Sequence, residues 1–326
     1  MRNRMIVVRA IEEIPAGLPS TVATIGNFDG VHLGHREIFR RVRSAAADLN
    51  GTSVVITFEP HPLTVVPSTR QISLITTATE KEALIEAAGI DCLVIIPFTR
   101  EFARRSAREF VDEVLVGRIG VSRIIIGYDY AFGRNREGGT ALLTELGREL
   151  GFEVEVLTPI GENGHVFSSS EIRRMVREGE VNSVVPLLGR HFSLGGRVVH
   201  GHHRGKVLGF PTANVVSDHE LIPVDGVYAV KVRVDAALFD GACNIGTKPT
   251  FGEEARTIEV FLFDYDGVLY DRDLRIFFIE RLRGETAYPD AEALRCAIAS
   301  DVVRCREILG AAVLRDGILN RDRGLA

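Results

Sequence analysis

Thr24-Ile25-Gly26-Asn27-Phe28-Asp29-Gly30-Val31-His32-Leu33-Gly34-His35 joins an apolar run to a helical pattern. Residues 22–25 read as a buried strand that stops at Gly26. From His35 onward, Ile38, Val42, Ala45 and Leu49 recur on one face of a helix. The loop between holds Gly26, Gly30 and Gly34, one acid and two imidazoles. Glycine lets the backbone approach a ligand closely, and the first N–H groups of a helix face an anion. His32 and His35 add donors where charge builds on a phosphate oxygen. The plainer reading is a tight turn whose histidines cap the helix, but turn chemistry does not need two imidazoles so close together. The loop also lacks the Gly-Lys-Ser/Thr ending of a P-loop and the spacing of a dinucleotide fingerprint.

Outward from this stretch the chain alternates. Residues 53–58, 92–98, 122–127 and 152–157 are short apolar runs rich in Val and Ile, and helical patterns fall near 80–88, 107–119 and 142–150. Such alternation predicts an α/β domain, a doubly wound parallel sheet with helices on both faces. Ligands of such sheets bind beyond the carboxyl ends of the strands. Glu59-Pro60-His61-Pro62 follows one strand and Gly127-Tyr128-Asp129-Tyr130-Ala131-Phe132-Gly133 follows another, so three polar clusters converge on one crevice. Ser168-Ser169-Ser170-Glu171-Ile172-Arg173 closes this half. Its serines read either as ordinary N-caps or as hydroxyls that, with Arg173, hold nucleotide phosphates.

After about residue 186 glycines become frequent and the runs at 196–200, 227–234, 258–265 and 274–279 are β-rich. Several alternate apolar with polar, which predicts an antiparallel sheet or small barrel. One helix follows, with Leu294, Ile298, Val302, Cys305 and Leu309 as its packed face. The expected domains are residues 1–184 and 185–326.

The second half carries its own chemistry. In Gly209-Phe210-Pro211-Thr212-Ala213-Asn214, Thr212 and Asn214 point to one side of an extended segment. Their oxygens are hard ligands suited to Mg²⁺ carrying a nucleotide, and Arg204 and Lys206 just before them suit phosphates. Both residues also read as simple turn formers. Glu259 stands inside an apolar strand between Ile258 and Val260. It reads as a base of raised pKa, a paired structural acid, or the exposed face of an edge strand. His200, His202 and His203 lack the further Cys/His cluster that a metal site needs.

Composition bounds the rest. A chain of 326 residues fits two ordinary domains, and 45% hydrophobic with 25% charged residues is usual for a soluble globular protein. A net charge of −5 argues against broad nucleic-acid binding. The first residues are too short an apolar run for a signal peptide, and no stretch approaches a membrane span. Cys92, Cys243, Cys296 and Cys305 show no zinc or redox spacing. A cytoplasmic protein with free thiols is expected, monomeric or weakly homo-oligomeric.

These clusters, in this order, resemble the bacterial bifunctional riboflavin kinase/FAD synthetase (FMN adenylyltransferase) family. G-N-F-D-G-V-H-L-G-H, F-E-P-H-P, G-Y-D-Y-A-F-G and S-S-S-E-I-R are similar to its adenylyltransferase. L-L-G-R-H-F, G-F-P-T-A-N, D-G-V-Y-A-V, N-I-G-T-K-P-T-F-G and I-E-V-F-L-F-D are similar to its riboflavin kinase. Departures are few: Ser170 replaces a usual Thr, Tyr130 a usual Phe, and His202-His203 stand where an acid is common. The resemblance implies ATP, riboflavin and FMN as substrates, with Mg²⁺. It implies Glu259 as the base of a kinase, with Thr212 and Asn214 on the metal and Arg204, Lys206, Gly209 and Pro211 around the nucleotide. It implies His32 and His35 as catalytic groups of adenylyl transfer. Gly26, Asn27, Phe28, Asp29, Gly30, Gly34, Ser168, Ser169, Ser170 and Arg173 would surround that second ATP, and His61 and Asp129 the flavin. Three alternatives are one decayed module, a flavin-binding regulatory protein, and a nucleotidyltransferase for another acceptor.

Overall fold

A computed structural model describes residues 4–66, 72–162, 165–200, 209–250 and 253–317. The chain divides into two compact units, Met1–Ser168 and Ser169–Ala326. In the first, strands β1 (Ile6–Val8), β2 (Thr21–Ile25), β3 (Ser53–Glu59), β4 (Cys92–Pro97) and β5 (Val121–Gly127) precede a hairpin of β6 (Ala131–Phe132) and β7 (Gly138–Gly139). β8 (Glu153–Leu157) and a second hairpin, β9 (Gly161–Glu162) with β10 (His165–Val166), follow. Six of these strands form one parallel sheet in the order β1-β4-β3-β2-β5-β8. The helices are α1 (Leu33–Asp48), α2 (Pro62–Val65), α3 (Ala78–Ala87), α4 (Ala107–Glu109), which runs on as a π-helix (Phe110–Ile119), and α5 (Thr140–Leu150).

β2 and the first five residues of β3 and β4 are buried throughout. A parallel strand covered on both faces needs a nearly continuous apolar run, and that is what these segments supply. Ala23, Ile25, Val54, Ile56 and Val94 meet Phe110, Val114 and Leu143 on one side of the sheet. α1 packs on the β2–β3 region with Phe39, Val42 and Ala46 buried. From β2 the chain winds outward to β3 and β4, then returns to place β5 on the other flank of β2. That reversal is where a doubly wound sheet opens its ligand crevice. The motifs after β2 and β5 therefore start at the switch point, with that after β3 beside them.

Three local expectations are corrected. α1 begins at Leu33, ahead of His35, and Phe39 rather than Ile38 fills its buried face, so Leu49 falls at the C-cap, exposed. The 107–119 helix forms, but most of it is π-helical. β1 is an unexpected edge strand, short and with two of its three residues exposed.

The second unit holds α6 (Ser169–Glu178), α7 (Val185–Leu188) and strands β11 (Ser193–Val199), β12 (Ala213–Val216), β13 (Gly226–Val234), β14 (Ala237–Thr250), β15 (Glu253–Leu262) and β16 (Asp273–Arg283). They close into a barrel in the order β11-β12-β15-β14-β13-β16, every pairing antiparallel. Tyr228, Val230, Val232, Cys243, Ile258, Val260, Ile276 and Phe278 are buried at 3% exposure or less and fill it. The final helix α8 (Ala291–Ala311) lays Cys305 and Leu309 on Ala229, Phe263 and Ile279, outside the barrel. Leu294 and Ile298, expected on the same packed face, are only partly buried, so the cover comes from the second half of α8. No helix among the described residues is long and apolar enough to cross a membrane.

Candidate active sites

In the first unit the motif loop leaves β2 at Gly26, and Gly26 N–H donates to Ile56 O at 3.0 Å. The Phe28 ring folds back over Gly26, so close that a Cβ there would lie 2.9 Å from it. Phe28 and Val31 take left-handed backbone angles (φ 49° and 39°), unusual for side chains of this size. The loop is held in that shape by its neighbours. Asn27 O accepts from the Thr57 hydroxyl at 3.2 Å. The buried Asp29 carboxylate accepts from Ile75 N–H at 3.0 Å, and from the N–H and hydroxyl of Thr76 at 3.2 and 3.3 Å. Gly30 N–H donates to the same Thr76 hydroxyl. Gly30 stands at φ 82° with Ile75 pressed against it, which only glycine tolerates. Asp29 thus clamps the loop to the segment before α3.

His32 is the N-cap of α1, its Nδ1 accepting from His35 N–H at 3.3 Å. The neutral ring must then carry its proton on Nε2. The capping reading and the phosphate reading are therefore compatible in one side chain: Nδ1 serves the helix and Nε2 carries the proton. The His32 and His35 rings stack at 3.5 Å, with 20° between their planes. Phe28 closes the far side of His35 edge-on at 5.2 Å. A Cβ on Gly34 would meet His32 and Phe167 at 3.1–3.2 Å, so this glycine admits the close packing of the cap.

His61 repeats the device. It caps α2, Nδ1 accepting from Leu63 N–H at 3.2 Å, and is buried. Asp129 is exposed in the turn after β5. Around these strand ends runs a chain of rings: Phe58, Phe98, Phe102, Phe110, Phe132 and Tyr130, each 5.4–6.2 Å from the next. Phe58, Phe98, Phe102 and Tyr130 are partly exposed, so this end of the sheet offers apolar ring faces beside polar caps. Ser168 ends this unit; Ser169, Ser170 and the buried Arg173 belong to α6 in the other.

In the barrel, register builds the site. Glu259 of β15 lies directly opposite Asn214 of β12 and Asn244 of β14. Opposed residues share a face, so these three form one polar row across three strands. Ile258 and Val260, flanking Glu259, point inward and are buried; Glu259 itself is half-buried on the outer face. In a closed barrel β15 is no edge strand, which removes that reading of Glu259. Thr212 donates its hydroxyl to Glu259 Oε2 at 3.4 Å. Two residues along the same outer face, Ala242 and Phe261 lie under α8, and Phe210 meets Phe261 edge-on at 5.7 Å. The row begins where that cover stops. Gly209 (φ 86°) and Pro211 are exposed at its border. Cys243 lies one residue from the row, facing inward; burial first, and then the Glu259 charge, push its thiol well up. Arg204, Lys206, His202 and His203 lie outside the described residues.

Residues 15–171 match the family model for FAD synthetase and residues 188–309 that for riboflavin kinase. A bifunctional riboflavin kinase/FMN adenylyltransferase of Pseudomonas fluorescens is 37% identical over 311 residues, 93% of this chain and 98% of the relative. The chain belongs to the bifunctional riboflavin kinase/FMN adenylyltransferase family. The protein of that name from Escherichia coli K12 is 34% identical over 308 residues, 94% of this chain and 98% of its own. A solved structure of a protein named as a macrolide-efflux protein, from Streptococcus pneumoniae, superposes with a TM-score of 0.85 at 28% identity, covering 93% of this chain and 99% of that one.

Three of the FAD synthetase motifs thus sit at strand ends of the sheet, and Asn214, Glu259 and Asn244 of the riboflavin kinase motifs lie on the outer face of the barrel. Two residues of these sites were not singled out in the sequence. Asn244 stands inside the kinase motif N-I-G-T-K-P-T-F-G, yet only strand pairing shows that it faces Glu259. Lys81, in α3, is buried and reaches Phe58 O and Glu59 Oε2, each at 3.4 Å, at the F-E-P-H-P segment. Its place in an ordinary helical pattern gave no signal.

Proposed function

We propose which residues carry each of the two activities of this family, phosphorylation of riboflavin to FMN and adenylylation of FMN to FAD. In the kinase, Glu259 accepts the proton of the ribityl 5′-hydroxyl as its oxygen attacks the γ-phosphorus of ATP and ADP departs. Phosphoryl transfer is mostly positioning and charge neutralisation, so one carboxylate and a few oriented oxygens suffice. The row Asn214–Glu259–Asn244 supports this reading, because it holds the carboxylate between two amides on an accessible face.

A hydroxyl, an amide oxygen and a carboxylate are hard donors, which fits Mg²⁺. Among the described residues no group of three or more His, Cys, Asp or Glu is placed to hold a metal alone. Thr212 and Asn214 would therefore hold an ion that arrives with its nucleotide, where it neutralises phosphate charge. Arg204, Lys206, Gly209 and Pro211 would flank that nucleotide.

In the synthetase, a phosphate oxygen of FMN attacks the α-phosphorus of a second ATP and pyrophosphate leaves. FMN phosphate is already ionised, so no base is needed. His32 through Nε2–H, and His35 beside it, stabilise the charge on the transferring group. Gly26, Asn27, Phe28, Gly30 and Gly34 shape the nucleotide loop, and Asp29 fixes it. Ser168, Ser169, Ser170 and Arg173 complete the phosphate contacts, and His61 and Asp129 border the flavin. The functional modules are residues 1–184 and 185–326, since S-S-S-E-I-R continues the synthetase motif set past the packing boundary. The enzyme works on small molecules in the cytoplasm as a monomer or weak homo-oligomer.

Riboflavin, ATP and Mg²⁺ given to the purified protein should yield FMN first and FAD later by chromatography. Glu259→Ala should abolish FMN formation yet leave FAD formation from supplied FMN. His35→Ala should stall the reaction at FMN, slowing the second step by about 10²–10³, the loss expected for one charge-stabilising donor. Equal damage to both steps by both substitutions would refute the assignment.

A further inference from the structure

Arg36 follows the H-L-G-H motif directly, in the first turn of α1. Its side chain is half-buried and makes no hydrogen bond or ion pair with any described residue. Other arginines on the same helix are engaged: Arg40 and Arg41 bind Glu37, and Arg43 donates to Ala88 O at 2.8 Å. Burial alone holds the Arg36 guanidinium below its ordinary value. Leaving a cation half out of water with no counter-charge is unfavourable, and proteins seldom keep one without a partner.

Helix geometry says where the partner would come from. Residues four apart lie one above the other, so Arg36 stands over His32. Long helical side chains lean back toward the N-terminus and cover the preceding turn. Arg36 is thereby directed toward the motif loop, over the cap made by His32 and the free N–H groups of Leu33 and Gly34. An anion bound at that loop meets the guanidinium, and Arg offers the forked donor geometry that suits a phosphate.

The geometry points to Arg36 as a binding residue for the polyphosphate tail of ATP in the adenylyltransferase, the part that leaves as pyrophosphate. It rests on the synthetase reading of this loop. His32 and His35 serve the α-phosphate, and Arg36, one residue beyond them with a longer side chain, reaches the groups past it. It is no partner for the FMN phosphate, which approaches from the opposite side of the α-phosphorus in an in-line displacement.

The test compares the full-length protein with Arg36→Met and Arg36→Lys. Inorganic pyrophosphate binding is measured by calorimetry, and KM values for ATP and FMN are measured in FAD synthesis. Arg36→Met should weaken pyrophosphate binding about tenfold or more, as for one charge-assisted hydrogen bond, and raise the KM for ATP similarly. The KM for FMN and the riboflavin kinase rate should stay put, and Arg36→Lys should recover part of the loss. The melting temperature of Arg36→Met should hold or rise, because an unpaired half-buried charge has gone. Unchanged pyrophosphate affinity would sink the inference, as would a shift in the KM for FMN alone or a fall in melting temperature with both activities impaired. If the wild-type protein neither binds pyrophosphate nor makes FAD, the synthetase reading fails first. If it does both and Arg36→Met matches it, only the role of Arg36 fails.

Discussion

The Tyr130 hydroxyl is buried with no hydrogen-bond partner among the described residues. Burial pushes its ionisation well above the ordinary range, so it stays protonated at working pH. The ring stacks on Phe132 at 5.4 Å and packs on the core of the sheet. A buried hydroxyl left unsatisfied costs about 1–3 kcal/mol of desolvation. Tyr130→Phe keeps the ring and removes that cost, so it should leave stability unchanged or raise it by about 1 kcal/mol. Urea unfolding measures this, and a clear loss would reveal a partner for the hydroxyl. The histidines carry the same lesson in reverse. His32 and His61 each give Nδ1 to a helix cap, which fixes the tautomer and orients the ring for whatever Nε2 does.

At the scale of elements, the start of α3 links stability to the motif loop. Thr77 and Glu80 form a reciprocal capping box, at 3.2 and 3.1 Å. The two residues just before it, Ile75 and Thr76, hold Asp29. Thr77→Ala should cost about 1 kcal/mol in unfolding experiments. It should also slow FAD synthesis while FMN formation proceeds normally; slowing of both alike would place the damage elsewhere. Much of this level was legible in advance. Strands β2 to β5 and β8 follow their apolar runs; β2, β3 and β4, covered on both faces, write that burial into consecutive residues, whereas the edge strand β8 is mostly partly or fully exposed. The barrel was harder to read. β14 carries Gly241, Asn244, Gly246 and Thr247 and shows no long apolar run. Its membership depends on pairing with β13 and β15, which are distant commitments that local pattern does not encode. For the same reason Glu259 was visible and Asn244 was not. The resemblance implies Asp29 beside the nucleotide, and the backbone N–H groups of Ile75 and Thr76 that its carboxylate accepts from are not visible in the sequence.

For the whole molecule, the four thiols report on both units. Burial raises Cys92 to about 11 and Cys305 to about 12, and Cys243 further still, while Cys296 is exposed. Burial disfavours the charged thiolate, the reactive form, so these three remain protonated at pH 8. A thiol reagent should therefore label one site in the native protein and four after denaturation. Labelling of Cys92 alone would report loosening of the sheet, and labelling of Cys243 or Cys305 loosening of the barrel and its helix. Separate loss of the two activities on heating should follow the same division.

The alternation along β15 has a parity. Ile258 and Val260 belong to the interior and Glu259 to the face outside it. Adding or deleting one residue within the strand would exchange the two sets, burying a carboxylate and exposing the valine and isoleucine. The length of this strand is thus tied to the chemistry it carries. Over evolutionary time single-residue insertions here should be purged, while the exposed turn between β15 and β16 is free to grow and shrink.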